Sequence, residues 1–383
     1  MIEIRSGKIE QKETSKTSVP DYTDYKPDIG KIKELEEERE FDNLIVIGNG
    51  GSITSFRAYY YAFIDEVDVD VNLVTTMDPD YLERLASSTK NDNTLIMPVS
   101  KSGQTVGVIE SLMFFLEKGY DFLPVTSDND GALKQIVDRR DAEFIEHPDI
   151  GGRFTGAVET ALAPAHFAGI EIEPIRDGAE QVYENPESAY QLAETLYDAE
   201  KNGFQEILTP FYSTRLFGYY PLLVQLMHET VCKEGEGQTV YGDLAPEYQH
   251  HTNQRLFGGR KDVMPLFFNL TNHSHEEIRI PEDLKDVKVR DKELAEFVDR
   301  TYQSALRSEY KGVRQALNKH EMPYLNIEID SLGLQEAGQL TAFLQLMAVR
   351  SAELREVDPF NQPDVETSKN FGFESRFKEV EER

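Results

Sequence analysis

The clearest hydrophobic block in the chain is Leu44-Ile45-Val46-Ile47, four apolar residues in succession stopped by Gly48. A strand with one solvated face would alternate apolar and polar residues, so an unbroken run predicts a strand covered on both sides, as in a parallel sheet. Similar runs recur at 71–74, 94–99 and 122–125, with helical patterns between them. This spacing predicts βαβ units with right-handed crossovers. An Ala- and Glu-rich helical stretch at 186–201 separates these runs from a second set at 204–208, 263–268 and 325–329. A helical pattern over 341–355 and a tail from Asp358 containing Pro359 and Pro363 follow the last of them. The expected fold is therefore α/β: two doubly wound parallel-sheet domains, each a three-layer αβα sandwich. The expected division is an N-terminal arm at 1–40, domains at 41–190 and 191–345, and a C-terminal helix and tail at 346–383. The arm reads as extended chain followed by a short exposed helix. The tail is too short to fold alone and should pack on a domain or on a partner subunit.

The chain has 383 residues, enough for two domains of about 150 residues each plus appendages. Hydrophobic residues at 39% and charged residues at 29% sit inside the globular range, so neither disorder nor a fibrous repeat is indicated. The formal charge of −30 changes the picture more, because such a field repels nucleic-acid phosphates. An anionic metabolite can still bind where a local cradle of amides, hydroxyls and cations overrides the global field. The N-terminus lacks the apolar core of a signal peptide, and no segment approaches the roughly 20 apolar residues of a membrane span; a cytoplasmic protein with no membrane partner is expected. The single cysteine, Cys232, can form neither an internal disulfide nor a multi-thiolate metal site.

Two loops carry candidate chemistry. Gly48-Asn49-Gly50-Gly51-Ser52 follows a predicted strand and opens a predicted helix, where glycines let backbone amides approach an anion. It is not a dinucleotide fingerprint, since Ser52, Ile53 and Thr54 do not complete G-x-G-x-x-G. The second loop, Ser100-Lys101-Ser102-Gly103-Gln104-Thr105, places three hydroxyls and a cation at another strand's carboxyl end, the edge where open parallel sheets take ligands. Either loop alone could be a tight turn or a hydroxyl-capped helix start. Together, at successive strand ends, Gly50, Gly51, Ser52, Ser100, Lys101, Ser102 and Thr105 form a candidate phosphate cradle.

These loops resemble the phosphate-binding loops of sugar isomerase domains, and later motifs narrow the resemblance to the glucose-6-phosphate isomerase family. Gly151-Gly152-Arg153-Phe154-Thr155 is similar to that family's Gly-Gly-Arg-(Phe/Tyr)-Ser segment, and Glu234-Gly235-Glu236-Gly237-Gln238 to its Glu-Ser-x-Gly-Lys segment. Gln249-His250, with Gly258-Gly259 downstream, resembles its Gln-His segment. The run Asp358-Pro359-Phe360-Asn361-Gln362-Pro363-Asp364-Val365-Glu366-Thr367-Ser368-Lys369 resembles its C-terminal signature.

The resemblance implies an enzyme that opens a cyclic sugar phosphate and moves a proton between C2 and C1 through a cis-enediol. It implies Glu234 as the base, His250 and Lys369 in ring opening, and Arg153 beside the enediolate charge. It also implies no cofactor, no metal and a homodimer whose site is partly shared between subunits. The register leaves His251 open beside His250 and Glu236 beside Glu234. Gln104 stands where the family has an acidic residue, and Gly237-Gln238 lacks its lysine. An isomerase of mannose or amino-sugar phosphates is the nearest alternative. A phosphosugar-sensing protein is a further one, but it would have no use for Glu234, His250 and Lys369 and would normally carry a basic helix-turn-helix. His273-Ser274-His275-Glu276 reads as surface polar chain rather than a metal motif. His228 and Cys232, at i and i+4, read as structural neighbours on one helical face.

Overall fold

The computed structural model describes residues 2–7, 18–273, 277–297 and 300–381. In chain order, β1 (Ile2–Gly7) and α1 (Ile29–Glu37) precede β2 (Asn43–Ile47), α2 (Thr54–Ala62), β3 (Asp70–Val74), α3 (Pro79–Ser88), β4 (Thr94–Ser100) and α4 (Val106–Glu117). Short strands β5 (Asp121–Phe122), β6 (Val125–Thr126) and β7 (Ile145–Glu146), with α5 (Ala132–Arg140) between the last two, complete a first sheet. Its order is β3-β2-β4-β6-β7, with β5 also beside β4, and every pairing is parallel. The prediction for β2 holds in detail. Leu44 and Val46 enter one hydrophobic cluster and Ile45 and Ile47 the other, so all four are at most 1% exposed.

Helices α6 (Glu159–Phe167), α7 (Glu173–Glu184) and α8 (Glu187–Lys201) lead to β8 (Glu206–Tyr212), α9 (Thr214–Phe217) and α10 (Tyr220–Gln225). Then follow β9 (Thr239–Leu244), α11 (Thr252–Gly258), β10 (Val263–Leu270), the hairpin β11 (Lys288–Val289) and β12 (Lys292–Glu293), α12 (Tyr302–Lys319), β13 (Tyr324–Ile329), α13 (Leu334–Glu353) and α14 (Pro363–Glu381). The second sheet runs β1-β13-β10-β8-β9 and is parallel except at β1. One of its faces packs under α12 through Tyr212, Phe267 and Tyr310. The other, including Phe211 stacked on Phe268 at 4.4 Å between ring centroids, shares one continuous cluster with the first sheet. The two doubly wound sheets thus meet across a common core of buried helices, of which α13 packs on both α7 and α8.

Several elements differ from the periodicity. Residues 2–7, read as part of an extended arm, add to the second sheet as an antiparallel edge strand. The run at 122–125 divides into β5 and β6 around Pro124, which has no N–H for the ladder. Strand β9 is absent from the hydrophobic pattern because Gly242 and Asp243 interrupt its apolar positions. Residues 226–231 form a π-helical turn rather than the expected α-helix: His228 Nε2 accepts from the Val240 amide at 2.9 Å, and Cys232 caps the turn. Of the segment 273–276, only His273 lies among the described residues.

Candidate active site

The two loops end adjacent central strands, β2 and β4, at the carboxyl edge of the first sheet. Gly50 has φ +55, and Gly51 lies so close to the next glycine loop that a Cβ would sit 2.2 Å from the Gly152 carbonyl carbon. The contact at Gly51 leaves no room for a side chain, and the positive φ at Gly50 is one that glycine adopts without steric cost. In the second loop Ser100 Oγ lies 3.0 Å from Thr105 Oγ1, and Ser102 Oγ accepts from the Gln104 amide at 3.2 Å. Thr105 stands at the start of α4 and Ser52 two residues before α2, so two helix N-termini turn their free amides to the same space.

That space is a cleft of about 720 Å³. Gly50, Gly51, Ser52, Ser100, Lys101, Ser102, Thr105, Arg153 and Lys369 all line it, and so do Gln225, Glu229, His147, Asp149 and Gln362. Lys101 is paired with the fully exposed Asp149 at 2.7 Å, a contact that solvent screens and an incoming phosphate can displace. His147 is 1% exposed. Burial draws its pKa down to about 4, and its Nδ1, 2.8 Å from the Pro148 carbonyl, must carry the proton because a carbonyl only accepts.

Arg153 is the hub of the site. It is 3% exposed; Nε donates to Thr230 Oγ1 at 2.8 Å, Nη1 to Gln362 Oε1 at 2.7 Å, and Nη2 to the Pro359 and Asn361 carbonyls at 2.6 and 3.0 Å. Lys233, also buried, donates to the Asp358 carbonyl. Two buried cations therefore clasp the segment 358–362, and that strap delivers Gln362 and, nearly two helix turns into α14, Lys369 to the cleft. Burial pulls both cations below their usual pKa, and the neighbouring carboxylates of Glu229 and Asp358 act against it.

The cleft carboxylate facing Arg153 belongs to Glu229. Its Oε2 is 3.5 Å from Arg153 Nη1, and Gln225 Nε2 is 3.2 Å from both of its oxygens. Gln225 in turn accepts from Thr54 Oγ1 at 2.9 Å, tying Glu229 to the start of α2. Glu229 lies within the π-helical turn, an irregularity often found at functional positions. Glu234 does not line the cleft: it sits exposed at φ +55 in the turn leading to β9, and Glu236 is paired with Lys201 at 3.1 Å. His250 and His251 are also outside it, exposed at the carboxyl end of β9 in the second sheet, where His251 Nδ1 is 2.7 Å from Thr252 Oγ1.

No protein-family model matches the chain. Among curated proteins, a probable glucose-6-phosphate isomerase of Haloarcula marismortui is 26% identical over 348 residues, covering 86% of this chain and 77% of the relative. The glucose-6-phosphate isomerase of Methanocaldococcus jannaschii is 26% identical over 360 residues, covering 90% and 86%. A glucose-6-phosphate isomerase of Rubrobacter xylanophilus is 25% identical over 358 residues, covering 86% of this chain and 82% of the relative. Among solved structures, a hypothetical protein of Thermus thermophilus superposes with a TM-score of 0.82 at 24% identity, over 91% of this chain and 88% of that one. A glucose-6-phosphate isomerase of Chlamydia trachomatis does so with 0.77 at 21%, over 92% and 73%. The shared fold extends through both sheets and the helices between them.

Against glucose-6-phosphate isomerase motifs, a second register was available for the Glu-Ser-x-Gly-Lys segment. Glu229-Thr230-Val231-Cys232-Lys233 keeps the carboxylate, a hydroxyl beside it and a lysine four residues on, and lacks only the glycine. The glycines at 235 and 237 drew the match downstream, where the lysine is missing. Gln225 and His147 carried no motif signal.

Proposed function

We propose that this chain is a glucose-6-phosphate isomerase that interconverts glucose 6-phosphate and fructose 6-phosphate in the cytoplasm. The observation that carries the reading is the relationship to such isomerases over 90% of the chain, together with a hydroxyl-lined cleft where two helix N-termini converge. The phosphate is held by the amides of Gly50 and Gly51, the hydroxyls of Ser52, Ser100, Ser102 and Thr105, and Lys101, released from Asp149 as the dianion arrives.

Glu229, rather than Glu234, is the base. It removes the C2 proton and returns it to C1, while the Gln225 amide holds its two oxygens and the Arg153 guanidinium lies 3.5 Å from Oε2. The Arg153 guanidinium is a fixed cation beside the charge that develops on the enediolate. Lys369 protonates or deprotonates the ring oxygen from the helix end of the strap. His250 retains the ring-opening role by resemblance, and because it lies outside the cleft of its own chain, it enters the site of a second copy; the active species is a homodimer. No step calls for a metal, since a carboxylate and an arginine handle both forms of the enediol, and a chelator should leave activity unchanged.

A coupled assay with fructose 6-phosphate and mannose 6-phosphate tests the reading directly. Turnover of fructose 6-phosphate to glucose 6-phosphate is expected. Turnover confined to mannose 6-phosphate, or to neither substrate, would replace it. In the same assay Ser100→Ala/Ser102→Ala should raise KM far more than it lowers kcat.

A further inference from the structure

We propose that the second sheet carries a separate binding site for a small phosphorylated polyol, at the carboxyl ends of β10 and β13. A pocket of about 280 Å³ opens there, lined on one side by Asn269 and His273 and on the other by α12, and it shares no residue with the active-site cleft. Strand carboxyl ends are where open parallel sheets receive ligands. The volume lies near the lower limit for small-molecule sites, so it suits a hexose-sized molecule rather than a nucleotide.

The chemistry of the walls selects the ligand. Arg307, Lys311 and Arg314 all line the pocket and, at i, i+4 and i+7, share one face of α12. Arg314 is fixed in place, with Nε 3.2 Å from Tyr324 Oη and its guanidinium over the Tyr310 ring at 5.2 Å. Arg307 and Lys311 are exposed and have no acidic partner among the described residues. Like charges at this spacing repel, a cost that an anion seated between them would reverse. In a chain of formal charge −30, three cations around one concavity are a strong local departure from the surrounding field. The lining also contains one carboxylate, Glu328, which is 7% exposed and 3.5 Å from Tyr310 Oη. A carboxylate beside three cations would weaken a site for bare phosphate. It suits a ligand that also brings hydroxyl groups, which Glu328 and the Asn269 amide accept and donate to while the cations take the phosphate.

Sorbitol 6-phosphate, which has no carbonyl to isomerise, is the probe, titrated calorimetrically against the intact chain. Two equivalents per chain are expected. In Arg307→Gln/Lys311→Gln one of them should weaken by about tenfold or more, the scale of a lost charge-assisted contact. The other should be unchanged, which also reports that the variant is folded. Ser100→Ala/Ser102→Ala should give the reverse pattern. Glu328→Gln should lower the preference of the α12 site for sorbitol 6-phosphate over inorganic phosphate. A single equivalent lost in Ser100→Ala/Ser102→Ala, or two equivalents both indifferent to Arg307→Gln/Lys311→Gln, overturns the site; an unchanged preference in Glu328→Gln overturns the polyol assignment. Because the two sites respond to different substitutions, failure of the α12 site leaves the isomerase reading untouched, and the converse holds.

Discussion

Glu229 and Glu234 are both acidic residues near glycines and a lysine, and only their surroundings separate them. Glu229 meets a buried guanidinium and an amide inside a cleft; Glu234 meets solvent. Glu229→Gln preserves size and one acceptor oxygen but removes the base, so kcat should fall by roughly 100-fold or more, and solvent exchange at C2 should stop. Glu234→Gln should stay near wild type in both measurements, and the opposite pattern would return the role to Glu234. His147 offers a different test. Because burial lowers its folded pKa to about 4, the unfolded chain binds its proton between about pH 6.5 and 4 while the folded chain does not. Stability is therefore lost as pH falls through that window, by on the order of 3 kcal/mol for this group. Urea unfolding of His147→Gln at pH 7 and pH 4.5 should show a smaller decline than wild type.

Among the elements, the strap at 358–362 has the largest consequence. Three of its backbone carbonyls, of Asp358, Pro359 and Asn361, and one side chain, Gln362, are what Lys233 and Arg153 hold, so most of the clasp leaves no mark in a side-chain motif. Lys233→Met keeps most of the buried stem and removes the donor to Asp358. One lost charge-assisted hydrogen bond corresponds to about a tenfold fall in kcat/KM if the strap positions Lys369 and Gln362. Faster limited proteolysis within α14 should accompany the kinetic loss; a variant with normal kinetics and a normal cleavage pattern would mean that Arg153 alone suffices. The π-helical turn at 226–231 is a second element that periodicity could not reveal. Its apolar spacing reads as ordinary helix, and the extra residue per turn appears only once His228 is anchored to β9.

For the whole molecule, the position of His250 away from the cleft makes a mixing experiment decisive. If each site takes His250 from the partner, His250→Ala and Glu229→Gln chains, each nearly inactive, should regain about a quarter of wild-type activity when mixed and allowed to exchange, because half the dimers then hold one complete site. No recovery, with exchange verified by sedimentation, would place both residues in one chain's site or dismiss the role of His250. The formal charge of −30 per chain adds a condition. Two such chains repel one another, and salt screens that repulsion, so activity at nanomolar protein should rise as ionic strength is raised from a low value.

The buried strands, the two loops that line the cleft and the C-terminal segment that resembles the family signature were legible in the residues alone. Each depends on short-range constraints: continuous apolar runs for strands covered on both faces, glycines where backbone must approach backbone, hydroxyls at helix starts. Those features survive in sequence because the physics that requires them acts within a few residues. The cleft carboxylate, the clasp on the strap, the edge strand at 2–7 and the position of His250 were decided only by tertiary structure. Each is a contact between segments far apart in the chain, such as Arg153 with Pro359 and Asn361, or β1 with β13. Local pattern carries no trace of the partner in such a contact, so two glutamates five residues apart in sequence could be told apart only by which of them the fold turns toward the buried arginine.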